Sequence, residues 1–222
     1  DTARLFVMFV GGPEDASVWS DSGVDGSSRF LRRVWQFAAL HRERVRSAPA
    51  LAAIVDPAVK PLRREIHAVL KQVRYDYERM QYNTVVSGAM KMLNALEDFR
   101  PDAAQGGSVL REGLSLLLRV LYPACPHITQ VLWNDLGFTG QLGSLLDAPM
   151  PAVDEAALVQ DEIELVLQVA GKTRGSIRIG ASADKATIER VALASPEFAK
   201  FGDGRPVKKV VIVPGRLVNL VV

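Results

Sequence analysis

The chain has 222 residues, 48% hydrophobic and 23% charged, with a formal net charge of +2, an ordinary balance for a globular protein of one large domain or two smaller ones. Its single cysteine excludes an internal disulfide and a cysteine-rich zinc site and fits a reducing compartment. No run of about 18 apolar residues is present, which excludes a transmembrane helix. The opening "DTARLFVMFV" carries charge within its apolar run, so it does not read as a signal peptide, and a start at Asp1 in place of Met reads as a piece cut from something longer.

The small net charge hides a segregation. Residues 29–74 hold eleven bases against three acids, and residues 172–222 hold ten against four. The segments between and before them are acidic. Two basic blocks on an otherwise acidic chain suggest a polyanion touched at two places, with solvated faces as the plain alternative.

Up to about residue 136 the apolar spacing is helical. "SSRFLRRVWQFAALHRERV" sets Phe30, Leu31, Val34, Trp35, Phe37 and Ala38 on one broad face, with Ser27 or Ser28 as N-cap and Arg29, Arg32 and Arg33 opposite. "PLRREIHAVLKQVRYDYERM" opens with Pro61 in a first turn, where its missing N–H costs nothing, and repeats Leu62, Ile66, Val69, Leu70 and Val73 at helical steps. "NTVVSGAMKMLNALEDF" starts at a capping Asn83 and stops before Pro101. "SVLREGLSLLLRVLY" follows the Gly106–Gly107 break, and a further helix runs from about Pro126 to Leu136. Such helices, joined by short turns, predict an antiparallel bundle over residues 1–136.

Residues 137–160 are rich in Gly and Pro and read as a linker with at most one helical turn, flexible near Gly137–Gly143. Beyond it the period becomes two. "ELVLQVAGKTRGSIRIG" predicts a hairpin, "DKATIERVALASPEFAKF" a helix capped by Asp184, and "VKKVVIVPGRLVNLVV" a second hairpin. The ββαββ order over 161–222 predicts a small α+β domain with helices on one face of the sheet. The fold class is therefore multidomain, α followed by α+β.

Candidate chemistry is sparse. In "YPACPHITQVLW" Cys125 and His127 flank Pro126; zinc needs three or four ligands, and neither residue has partners nearby in sequence. The prolines favour a structural corner, with Leu132 and Trp133 packing into the bundle. "VAGKTRG" lacks P-loop spacing. Asp76 and Glu78, or Asp161, Glu162 and Glu164, read as solvated faces, so no catalytic or metal site is expected. The bases are better ordered. Lys172, Arg174 and Arg178 alternate with Thr173, Ile177 and Ile179, which puts three charges on one strand face. Arg29 and Arg33 are one helical turn apart. Guanidinium forks suit phosphate oxygens, and bound cations displace counterions. Lys208 and Lys209 serve equally as edge lysines that discourage strand aggregation.

The chain resembles the C-terminal part of the bacterial leucyl-tRNA synthetase family. "DTARLF" looks like the segment after that family's catalytic core, and "WSDSGVDGSSRFLRRVW" resembles the entry to its helical anticodon-binding domain. "YPACPHITQVLW" is similar to the Pro-x-x-Pro-His helix start of the wider leucyl, valyl and isoleucyl class. "LVLQVAGKTRGSIRI" and "VKKVVIVPGRLVNLVV" resemble the leucyl C-terminal domain; Ala170 stands where family members usually have Asn. The resemblance implies tRNA(Leu) as partner. Arg29 and Arg33 of the bundle, and Lys172, Arg174, Arg178, Lys209 and Arg216 of the terminal domain, are the implied contacts. It also implies that leucine activation with ATP and Mg belongs to catalytic and editing domains outside this piece, whose His-x-Gly-His and Lys-Met-Ser-Lys-Ser signatures are absent here. The piece itself would need no cofactor. A cytoplasmic monomer without membrane contact is expected. Alternatives are a structural scaffold or a protein-interaction domain of such a synthetase.

Overall fold

The computed structural model describes residues 1–51, 56–100, 102–159, 162–202 and 206–222. Pro101 and Asp161, both used above, lie outside them. The chain divides into two compact units, 1–158 and 159–222.

The first unit contains helices α1 (Thr2–Val10), α2 (Asp21–Ser47), α3 (Lys60–Glu78), α4 (Tyr82–Asp98), α5 (Gly106–Leu121), α6 (Pro126–Asp135) and the single turn α7 (Thr139–Leu142). α5 is its centre. Val109, Leu110, Leu114, Leu116, Leu117, Leu118, Val120 and Leu121 are all buried, so this helix is apolar on most of its circumference, as a core helix must be, with one polar stripe. The expected stripes on α2 (Phe30, Leu31, Val34, Phe37, Ala38) and α3 (Leu62, Ile66, Leu70, Val73) close upon it. Gly88 permits the tight α3–α4 approach: a Cβ there would meet Val73 Cγ2 at 2.4 Å.

Three local expectations are corrected. α2 is capped seven or eight residues earlier than proposed, by Ser20, whose Oγ accepts from Gly23 N at 3.3 Å. Ser27 is buried inside the helix and donates to the Gly23 carbonyl. Asp21 in the first turn suits the helix dipole. α4 begins at Tyr82, so Asn83 sits within its first turn rather than at the cap. Trp35 lies one step beyond the buried stripe and is 43% exposed.

The expected linker over 137–160 is packed into the bundle as far as Leu158. Phe138 and Leu145 are buried, Trp133 Nε1 donates to the Gly143 carbonyl at 3.0 Å, and the Trp133 and Phe138 rings stand 4.7 Å apart. Farther on, basic side chains strap the segment down. Arg119 reaches the Pro149 carbonyl at 3.3 Å, Arg74 the Pro151 carbonyl at 2.7 Å, Arg63 the Asp154 carboxylate at 2.6 Å and Lys71 Glu155 at 3.1 Å. Gly and Pro content signalled irregular backbone correctly. It did not show that the side chains between them are anchored.

The second unit is a four-stranded sheet in the order β2-β1-β4-β3, formed by β1 (Glu162–Val169), β2 (Lys172–Gly180), β3 (Lys209–Val213) and β4 (Leu217–Val221). β1–β2 and β3–β4 are antiparallel hairpins, joined by a parallel β1–β4 pairing. Helices α8 (Lys185–Leu193) and α9 (Pro196–Phe201) lie between the hairpins in sequence and cover one face, where Leu165, Leu167, Ile177, Ile179, Ile188, Ala192, Val218 and Leu220 form the core. Asp184 caps α8 as expected, accepting from Thr187 N at 2.8 Å. Both turns use positive φ. Ala170 (φ 51°) and Gly171 (φ 76°) make the first, and Pro214 with Gly215 (φ 66°) the second, closed by Arg216 N donating to Val213 O at 3.1 Å.

Candidate nucleic-acid interface

The first basic block does not act as one surface. Arg29 and Arg32 are exposed on α2. Arg33 leans across to α4, forming an ion pair with Glu97 and donating to Asn94 Oδ1 at 2.7 Å. Its bond to Glu97 raises the Arg33 pKa further above an already high value, against a smaller opposing effect of burial. Arg63, Lys71 and Arg74 are spent on the strap described above. Much of this block therefore folds the bundle, a use that charge counting did not distinguish from RNA contact or a solvated face.

At the base of the strap is a buried polar network. Arg63 holds Glu112 through two bonds, Nε at 2.8 Å and an Nη at 2.9 Å, and the same guanidinium bonds Asp154. The backbone N–H of Asp154 donates to His67 Nδ1 at 3.1 Å, which leaves the ring proton on Nε2, 3.1 Å from Glu112 Oε1. Burial pushes the Glu112 carboxyl up, but the bonds from His67 and Arg63 outweigh it and hold the pKa below the usual carboxylate range. Every strong group here has a partner inside the protein, so this is architecture rather than an acid–base site.

In the second unit the five predicted bases are exposed. They do not share one strand face, because the β1–β2 register slips between Leu167 and Gln168: Leu167 faces Gly175, Gln168 faces Thr173, and Arg174 is left over as a bulge. The slip turns Arg174 toward the helical side, where its guanidinium lies 4.3 Å over the Phe201 ring. It also sets Lys172 opposite Val169, a core-face residue, whereas Arg178 pairs with Glu164 on the open face. Lys209 pairs with Val221 on the edge strand β3, at the same end of the sheet as Lys172. Arg216 precedes β4 at the other end, near Arg178. The bases thus lie at two ends of the sheet, Lys172 and Lys209 at one on opposite edge strands and Arg178 and Arg216 at the other, with the ends about 17 Å apart at the usual strand rise. Between them the uncovered face mixes aliphatic side chains, with Val166, Val211 and Val213 each more than a third exposed, and polar ones such as Glu164 and Ser176.

The "YPACPHITQVLW" corner is structural. The Asp1 carboxylate caps α6, accepting from Ile128 N at 2.6 Å and lying 2.9 Å from His127 Nδ1. Cys125 is fully buried, and burial pushes its thiol up to about 11. No cluster of three metal-ligating side chains occurs among the described residues, and no described helix is long and apolar enough to cross a membrane.

Sequence reasoning missed the Arg33–Glu97 pairing, the strap and the bulge. The apolar sheet face was readable: "LVLQV" carries Val166 between two core leucines, so its alternation was incomplete.

A family model described as the anticodon-binding domain of tRNA ligase matches residues 60–190, from α3 into α8. Over its full length the chain is 62% identical to the leucine–tRNA ligase of Leptothrix cholodnii and 61% identical to that of Methylibium petroleiphilum, matching 25% of each. It spans about a quarter of the length of the curated relatives it matches. A solved ternary complex of Agrobacterium radiobacter K84 agnB2 LeuRS with tRNA and LeuAMS superposes with a TM-score of 0.79 at 26% identity, covering 99% of this chain and 28% of that one.

Proposed function

Since the chain belongs to the anticodon-binding domain family of tRNA ligases, we propose that it is the tRNA-gripping C-terminal portion of a leucine–tRNA ligase and takes tRNA(Leu) as its partner. The observation that carries this reading is the placement of Lys172, Lys209, Arg178 and Arg216, exposed at the two ends of one small sheet. Cations at two points along a surface fit a phosphate backbone better than a small ligand. Arg29 on α2 adds a contact from the bundle, and Arg33 joins it only when Glu97 releases it. Arg174, stacked on Phe201, is held flat and presents its edge to the RNA. Recognition is of shape and backbone, as suits a folded RNA.

In the whole enzyme, leucine activation with ATP and magnesium, transfer to the tRNA end and editing belong to other domains of the same polypeptide. Those domains cover apolar surface exposed here, such as Val7, Val18 and Trp19. The enzyme works as a cytoplasmic monomer. The names and lengths of the relatives support this division of labour.

Filter binding of the 222-residue chain to tRNA(Leu) across a salt series tests the proposal. About five phosphate contacts predict a log–log slope near −4. Absence of binding at low salt would favour a scaffold that holds the catalytic core.

A further inference from the structure

Helix α5 carries Ser108, Arg111, Ser115 and Arg119 along one stripe at three- and four-residue steps. The stripe opens onto a cleft of about 200 Å³ whose other walls include Phe138 and Gln141. Arg111 is only 6% exposed, yet among the described residues no carboxylate pairs with it. Its bonds go to the Val45 carbonyl at 2.9 Å and Gln141 Oε1 at 2.8 Å, and its guanidinium lies 4.9 Å over the Phe138 ring. Arg119 likewise bonds only neutral acceptors: the Ser115 carbonyl at 3.1 Å, Ser115 Oγ at 3.2 Å and the Pro149 carbonyl at 3.3 Å.

A guanidinium has five N–H donors. Arg111 uses two in these bonds and Arg119 three, so about five N–H groups remain between them. Glu112 also borders the cleft, but its oxygens are engaged by Arg63 and His67. Two cations drawn out of water with no carboxylate bonded to either are costly, and burial pushes the pKa of both below the ordinary arginine value, against a smaller raising effect of the Glu112 charge on Arg119. An anion in the cleft relieves that cost.

We propose that this cleft binds a tetrahedral oxyanion of the phosphate class, held between Arg111 and Arg119 with the Ser108 and Ser115 hydroxyls completing its shell. A phosphate offers enough acceptor lone pairs for two forks and two hydroxyls, whereas a single carboxylate falls short. The volume suits the phosphate group and leaves little room for a large organic body. The inference does not depend on the tRNA reading.

Isothermal titration of inorganic phosphate into the 222-residue chain, at constant ionic strength, tests it. Heat is preferable to melting temperature because phosphate stabilises most proteins non-specifically. The expected result is one saturable site, weakened at least tenfold in Arg119→Met and unchanged in Arg190→Met, a surface arginine in the other unit. Ser115→Ala, a milder change, should weaken binding severalfold if Arg119→Met fails to fold. No saturable heat, or equal affinity in wild type, Arg119→Met and Ser115→Ala, overturns the proposal. Repeating the titration with tRNA(Leu) bound separates the sources: loss of the site assigns it to an RNA backbone phosphate, and retention to a free anion.

Discussion

Arg33 on α2 and Glu97 on α4 form an ion pair across the seam of the two helices, with Asn94 taking a further guanidinium N–H. The cation is half-exposed but already neutralised, so RNA must compete with Glu97 for it. Glu97→Gln should therefore raise tRNA(Leu) affinity a few-fold in filter binding, at a stability cost below about 1 kcal/mol because the pair is near the surface. Arg33→Glu should weaken binding in the same assay and raise KM for tRNA in the full-length enzyme. An affinity that ignores both changes removes Arg33 from the interface.

Glu112 is the hub of the strap, and its pKa lies below that of an unfolded carboxyl. A depressed carboxyl contributes stability above the unfolded pKa and loses it as pH falls through the lower folded value. Denaturant midpoints should accordingly drop on going below about pH 4, and less steeply in Glu112→Gln. The substitution itself should cost about 3 kcal/mol near neutrality, since it leaves Arg63 without its bidentate partner. Equal midpoints for the two proteins at pH 7 would refute this role.

Ala170 occupies the left-handed region at φ 51°, where a Cβ is strained. Ala170→Gly and Ala170→Asn should each stabilise the terminal unit by roughly 1 kcal/mol. Thermal unfolding that moves the other way would mean the turn is held by something besides its backbone, such as the Asn219 side chain that accepts from Gly171 N at 3.1 Å.

Cys125, buried and with its thiol pushed up to about 11, should resist iodoacetamide at pH 8 in the native chain and react within minutes in urea. Fast native labelling would contradict its place in the core.

Periodicity revealed the helices because α2, α3 and α5 each bury a continuous stripe, and the hairpins because Gly171 and Gly215 mark turns that need positive φ. Other features depend on partners far away in sequence. Ser20 displaced Ser27 as the α2 cap because the stretch preceding the apolar run was also able to coil. Arg63, Arg74 and Arg119 were indistinguishable in sequence from surface bases, since their acceptors are backbone carbonyls and a carboxylate tens of residues later. The bulge at Arg174 is set by how β2 meets β1, and alternation within β2 alone carries no trace of it. The candidate site was thus legible as a list of bases, while their division between the two ends of the sheet was not.

The most direct test is chemical protection. Lysine acylation and arginine modification of the chain, with and without tRNA(Leu), are read residue by residue by mass spectrometry. Protection of Lys172, Lys209, Arg178 and Arg216, with Lys91 and Lys185 still reactive, is the predicted result. Undiminished reactivity at those four positions while other basic residues become shielded would contradict the account.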